Sequence, residues 1–300
     1  MNFNRHKYDD MISDEIHDAF YSDQSLRGRI ASLRAYAEIV VRKILDIDES
    51  EQITLGNHKI REQLEQKNPL LYDKVNKIRL TGNDGTHTQH INKFTENQFN
   101  DMRDALFWLY AYLFIDFFQR NPMNENLHAL IYSQFSLLPP IIRYDTLSYI
   151  FKHGQQNIYV ADRLSMAVLK TYDSKRAFEW IEKNKKSLLA MKYPNREIIG
   201  YAFKVMEKDQ FNNWIRNVPT DAYQLCTRRI SKLSIFFKNH RKYYTTLEQA
   251  KLYYKNYRLN DETVPGLNEL HELMDFVFQG RNIDTGSIDN QLISFSVFDN

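Results

Sequence analysis

Apolar residues recur along this chain at the three- and four-residue steps of a helix. In RIASLRAYAEIVVRKIL, Ile30, Leu33, Ala37, Val40 and Ile44 step by three, four, three and four, which puts them on one stripe. Arg34, Glu38 and Arg42 step by four along another line, forming a charged ladder beside it. A shorter helix is predicted through HKIREQLEQK. Another follows through PLLYDKVNKIRL, with Asn68 as its cap and Pro69 as its first residue. Leu71, Val75 and Ile78 face inward there, and Arg79, four residues beyond Val75, continues the buried line. An unpaired buried charge is costly, so Glu38 on the preceding long helix is the partner expected for Arg79.

Thr95 and Gln98 have the spacing of a capping box at the start of ENQFNDMRDALFWLYAYLFIDFFQR. Phe99, Met102, Leu106, Leu109, Leu113 and Phe117 form its inner stripe, but Phe107, Trp108, Tyr112, Phe114 and Phe118 make the rest of the circumference apolar too. A helix apolar all round must be covered on more than one side, by the second half of the chain or by a second copy of it. Beyond Pro139 the helical patterns continue: Leu147, Ile150 and Phe151 face inward in one, Phe178, Ile181 and Leu188 in the next. Pro194, Pro219 and Pro265 divide the region into helices or helix pairs, and Ile293, Phe295 and Val297 give a weak strand signal at the end.

Composition narrows the class. Nine glycines and seven prolines in 300 residues leave little material for the turns of a sheet-rich fold, so the expected fold class is all-α. The division expected is a helical bundle over residues 1–121 and a helical C-terminal domain over 122–300. The single Cys226 excludes an internal disulfide and a cysteine-rich zinc site, and the opening residues lack the apolar core of a signal peptide. The most apolar run, Ala105 to Phe118, is shorter than the roughly 20 residues of a membrane span and carries Asp116. These features predict a cytoplasmic protein with no membrane contact, no metal and no cofactor.

Net charge is only +2, so partners must be sought in local clusters. Residues 222–258 hold nine Lys or Arg against one acid, Glu248, with eight aromatics interleaved. Arg228, Arg229, Lys232, Lys238, Arg241 and Lys242 are candidates for neutralising nucleic-acid phosphates, while aromatics at helical spacing are more often core.

One stretch remains, IRLTGNDGTH, Ile78 to His87. Its local chemistry describes a helix end: Gly82 can adopt the left-handed conformation, and Asn83, Asp84 and Gly85 suit a turn. The same residues also resemble a family. Arg34 and Glu38 on a long helix, a helix ending in Ile78-Arg79, then Gly82-Asn83 and His87 before another long helix look like the HEPN superfamily. The closer likeness is to its prokaryotic, restriction-associated branch, over about residues 20 to 120. Seven residues separate Arg79 from His87 and Leu80 follows the arginine, a longer and more apolar link than catalytic members of that family use.

The resemblance implies a homodimer whose facing Arg79 and His87 form a metal-independent endoribonuclease site. Glu38, Asn83 and Arg34 would support it, RNA such as tRNA would be the partner, and the setting would be bacterial antiviral defence or a toxin–antitoxin system. The rival expectation is a non-catalytic helical scaffold or regulatory subunit that assembles with a partner protein and uses Arg79 and Glu38 only for packing.

Overall fold

The helix boundaries follow the caps written in the sequence. The computed structural model describes residues 2–86, 93–240 and 244–283, and among these the fold is all-α. The first helices are α1 (Asp9–Phe20), α2 (Leu26–Leu45), α3 (His58–Lys67), α4 (Pro69–Thr86), α5 (Glu96–Arg120) and α6 (Ala129–Phe135). They are followed by α7 (Pro140–Lys152), α8 (Ile158–Thr171), α9 (Ser174–Lys183), α10 (Lys185–Ala190), α11 (Arg196–Val205), α12 (Lys208–Asn217) and α13 (Ala222–His240). The chain ends its described part in α14 (Leu247–Tyr257) and α15 (Leu267–Phe278). Asn68 Oδ1 accepts from the backbone N–H of Leu70 (2.9 Å) and Leu71 (3.2 Å), starting α4 at its proline. Thr95 and Gln98 complete the capping box of α5. The expected terminal strand and Arg241 and Lys242 lie outside the described residues, as does His87.

The chain forms two compact units, and both are discontinuous. The first comprises Met1–Asn121, Ala129–Leu138 and Thr246–Asp284; the second comprises Pro122–His128 and Pro139–Thr245. The step at 121 and 122 expected from the sequence is therefore the first of several crossings, because α6, α14 and α15 return to the first unit.

The return has a physical cause. Helix α5 is buried round almost its whole circumference, with Trp108, Tyr112, Phe114 and Phe118 as inaccessible as the inner stripe. It packs on α2, α4 and α15, while Phe135 of α6 lies 5.8 Å from Phe114 and 4.9 Å from Phe118, ring centre to ring centre. Covering from within the chain removes the apolar requirement for a second copy at this helix. Tyr110 of α5 donates to the Tyr36 hydroxyl of α2 (2.8 Å), so their buried polar ends satisfy one another. Arg281, only 3% exposed, follows α15; its guanidinium lies 3.9 Å from the Phe20 ring centre and 3.7 Å from Glu248.

Buried polar contacts hold the returning helices together. The Gln134 Oε1 accepts from the Leu259 N–H (3.2 Å) and lies 3.3 Å from His271 Nε2, while Gln134 Nε2 donates to the Tyr257 carbonyl (3.2 Å). His271 is 1% exposed. In the second unit α8 packs on α7 and α9, and α13 comes back across α8, α9 and α10, making a closed bundle.

Burial, followed by the nearby Arg258 charge, lowers the His271 pKa from the ordinary 6.5. The unfolded chain thus takes up a proton that the folded chain refuses, and stability falls as pH drops through 6.5 toward the folded value. The melting temperature should decline less between pH 7 and 5 in His271→Gln than in the unaltered protein; identical slopes would refute this role for the imidazole.

Candidate functional site

Arg79, Gly82 and Asn83 stand on one continuous helix. Helix α4 runs on through Gly82 to Thr86, so the glycine does not end it and the expected turn at Asn83 to Gly85 is helical. Gly82 is buried where α4 crosses α2. A Cβ added there would come within 2.3 Å of Arg34 Cδ, 2.8 Å of its Cβ and 2.9 Å of its Cγ. Glycine is required by the close approach of the two helices, with the Arg34 stem lying across it.

The charged ladder on α2 has a structural task. Arg34 Nη2 lies 3.6 Å from Glu38 Oε1, and the same oxygen accepts from the Leu55 N–H (3.4 Å). Arg42 donates to the carbonyls of Asp48 (2.9 Å) and Glu51 (2.6 Å). The three residues hold the connection from α2 to α3 against the bundle.

Glu38 is therefore not the partner of Arg79, contrary to the sequence expectation. Half-buried Arg79 instead donates from Nε (3.0 Å) and Nη2 (2.8 Å) to Asn76 Oδ1, one turn earlier on α4. The short local bond satisfies donors of the guanidinium without neutralising its charge, and no carboxylate pairs with it among the described residues. Asn83 is half-buried one turn beyond Arg79. Arg27 donates to the Asp84 carbonyl (3.2 Å) and stands 5.2 Å from the Phe94 ring centre, placing a further cation at the C-terminal end of α4, where the helix dipole favours it. Sequence reasoning missed Asn76 and Arg27. The three-residue spacing of Asn76 and Arg79 was the available signal for the first; none pointed to the second.

The basic segment 222–258 is divided between the two units: α13 belongs to the second and α14 to the first. Arg228, Lys232 and Lys238 are exposed on α13, where their spacing makes one stripe interrupted by exposed Ile235. Arg229 is withdrawn from the set of phosphate-binding candidates: its Nη1 pairs with Asp162 of α8 at 2.6 Å, with side chains 15% and 9% exposed. Phe237, Tyr253 and Tyr254 are buried, so they cannot stack on bases.

Compared with known proteins, the chain matches no family model, no curated protein and no solved structure. No described helix is long and apolar enough to cross a membrane.

Two outcomes follow from these contacts. Gly82→Ala should lose about 1–2 kcal/mol of stability despite its better helix propensity, because the Arg34 Cβ is fixed to the backbone and α2 must move. A denaturation cycle with Arg34→Ala should recover part of that loss; strict additivity would exclude the contact as its cause. Asp162→Ala, which strands the Arg229 charge, should cost about 3 kcal/mol, whereas Arg228→Ala on the exposed stripe should change the denaturation midpoint little.

Proposed function

We propose that this is a HEPN-like protein that binds RNA and cleaves it without a metal, acting in bacterial antiviral defence or a toxin–antitoxin system. The observation that carries this reading is the condition of Arg79: half-buried, oriented by the neutral Asn76 amide, and keeping its positive charge. A guanidinium held this way presents a planar fork to phosphate oxygens without first breaking an ion pair. In the proposed reaction the ribose 2′-oxygen attacks the adjacent phosphorus and the 5′-oxygen leaves. Arg79 stabilises the charge that develops on the phosphorane oxygens, and His87 moves the proton. Asn83, one turn along α4, orients the substrate or the imidazole. A second copy supplies the facing Arg79 and His87 in a homodimer. Arg34 and Glu38 act as positioning residues, setting α4 through Gly82 and the loop before α3. The exposed Arg228, Lys232 and Lys238 provide a phosphate-binding surface on the second unit.

The scaffold reading is favoured by one observation: Arg34, Glu38 and Gly82 all have packing roles that need no substrate. Cleavage of total RNA and tRNA in the presence of chelator separates the two. Arg79→Ala and His87→Ala should each lower the cleavage rate by roughly 100-fold or more with dimerisation and melting unchanged. A wild-type protein that leaves RNA intact at all concentrations, with Arg79→Ala merely less stable, would establish the scaffold.

A further inference from the structure

A cleft of about 620 Å³ lies within the first unit, between the short 3-10 turn Arg5–Tyr8, the start of α1, one face of α14 and the end of α15. Four of the residues that line it are cations: Arg5, Lys251, Lys255 and Arg258. Asp9 and Asp275 are its only acids, so the lining carries an excess of two positive charges.

Both carboxylates are already engaged by the fold. Asp275 accepts from Arg258 Nη1 (2.9 and 3.0 Å) and from the Tyr254 hydroxyl (2.9 Å). Asp9 Oδ1 accepts from Gln279 Nε2 (2.5 Å), and its Oδ2 lies 3.3 Å from His6 Nδ1. Glu248, one turn before Lys251 on α14, is held by the Tyr21 hydroxyl (2.5 Å) and lies 3.7 Å from Arg281. The side chains of Arg5 and Lys255 have no ion pair or hydrogen bond among the described residues.

Lys251 and Lys255 stand one turn apart on the same face of α14, where like charges repel. Lys251 is half-buried and donates to the Arg281 carbonyl, a neutral partner that leaves its charge in place. Burial, then the charges of Lys255 and Arg281, hold its ammonium below the ordinary lysine range. The helix dipole favours Lys255 in the last turn of α14, but it does not account for Arg5, which enters the cleft from a separate turn. Cations from two distant segments thus converge on one concave site without an acid left to balance them. An anion with two charges on one group restores the balance, and a phosphate monoester carries nearly two near neutral pH. Its oxygens accept from an arginine fork and from ammonium groups at once. The volume is that of a small-molecule site and leaves room beyond a single phosphate.

From this convergence we infer that the first unit binds a small phosphate monoester, with Arg5, Lys251 and Lys255 holding the phosphate and the rest of the molecule occupying the remaining cleft. The site shares no residue with Arg79 and its neighbours, and its occupancy is read without RNA, so it stands or falls separately from the cleavage reaction.

Calorimetric titration of the full chain with glycerol 3-phosphate, 5′-AMP, glycerol and succinate tests the inference. Both phosphate esters should bind saturably, glycerol should give no heat, and succinate, whose two charges sit on separate groups, should bind about tenfold more weakly or not at all. Arg5→Gln and Lys255→Gln should each weaken the phosphate esters by about tenfold or more with the melting temperature unchanged, since neither side chain bonds to the fold. Lys59→Gln, the same loss of charge at an exposed position of α3, should leave binding as it was. No binding of either ester at millimolar concentration overturns the site. So does succinate binding as tightly as the esters, or an equal effect of Lys59→Gln and Lys255→Gln, which would reduce the interaction to bulk positive charge.

Discussion

The first unit is organised by a single demand: α5 is apolar on every side and must be enclosed. Each aromatic left in contact with water would forfeit on the order of 2 kcal/mol, so the chain gains by bringing distant segments back to it. Helices α2 and α4 take one side, and α15 and the Phe135 ring of α6 take others. Because α6 and α15 lie far apart in the sequence, the enclosure makes the unit discontinuous. The polar contacts around Gln134, His271 and Arg281 are secondary to it. They engage part of the polar surface that burial of the returning segments withdraws from water, although His271 Nδ1 and Arg281 Nε and Nη2 have no hydrogen-bond partner among the described residues.

The same packing sorts the cations into two kinds. Arg34, Arg42 and Arg229 bond to carboxylates or carbonyls of the fold, and Arg281 lies against Phe20 with Glu248 nearby. Their positive charge is used to position helices and loops. Arg79 and Arg143 pair with no carboxylate among the described residues: the first is held by a neutral amide, and the second is withdrawn from water with its Nε unpartnered. Unbalanced cations at partly enclosed positions are what anion recognition needs, and they lower stability in the absence of an anion. The distinction rests on partners, since all six arginines look alike in the sequence.

Gly82 shows how a motif can carry two demands. As a helix end it would need only backbone freedom, and a neighbouring residue type such as asparagine would serve. As the contact point of α4 with the Arg34 stem it admits no side chain. This fixes the distance between α2 and α4, and with it the direction in which Arg79 leaves the bundle one turn earlier. The requirement at Gly82 is thus part of the geometry of the candidate site even though glycine itself touches no substrate.

Much of the fold was legible because its signals are local. The stripes of α2 and α5, the Asn68 cap before Pro69 and the capping box at Thr95 depend on residues three or four apart, and the backbone realises them wherever they occur. The sequence by itself determined the helical class, the starts of α4 and α5 and the positions available for chemistry. Tertiary structure decided which cation meets which acid. Glu38 went to Arg34 and the Leu55 N–H, Arg79 to Asn76, and Arg229 to an aspartate 67 residues away. Helical spacing allows the first and second of these pairs without choosing them over Arg79–Glu38, and the third depends on helix crossing, which no periodicity within one helix encodes.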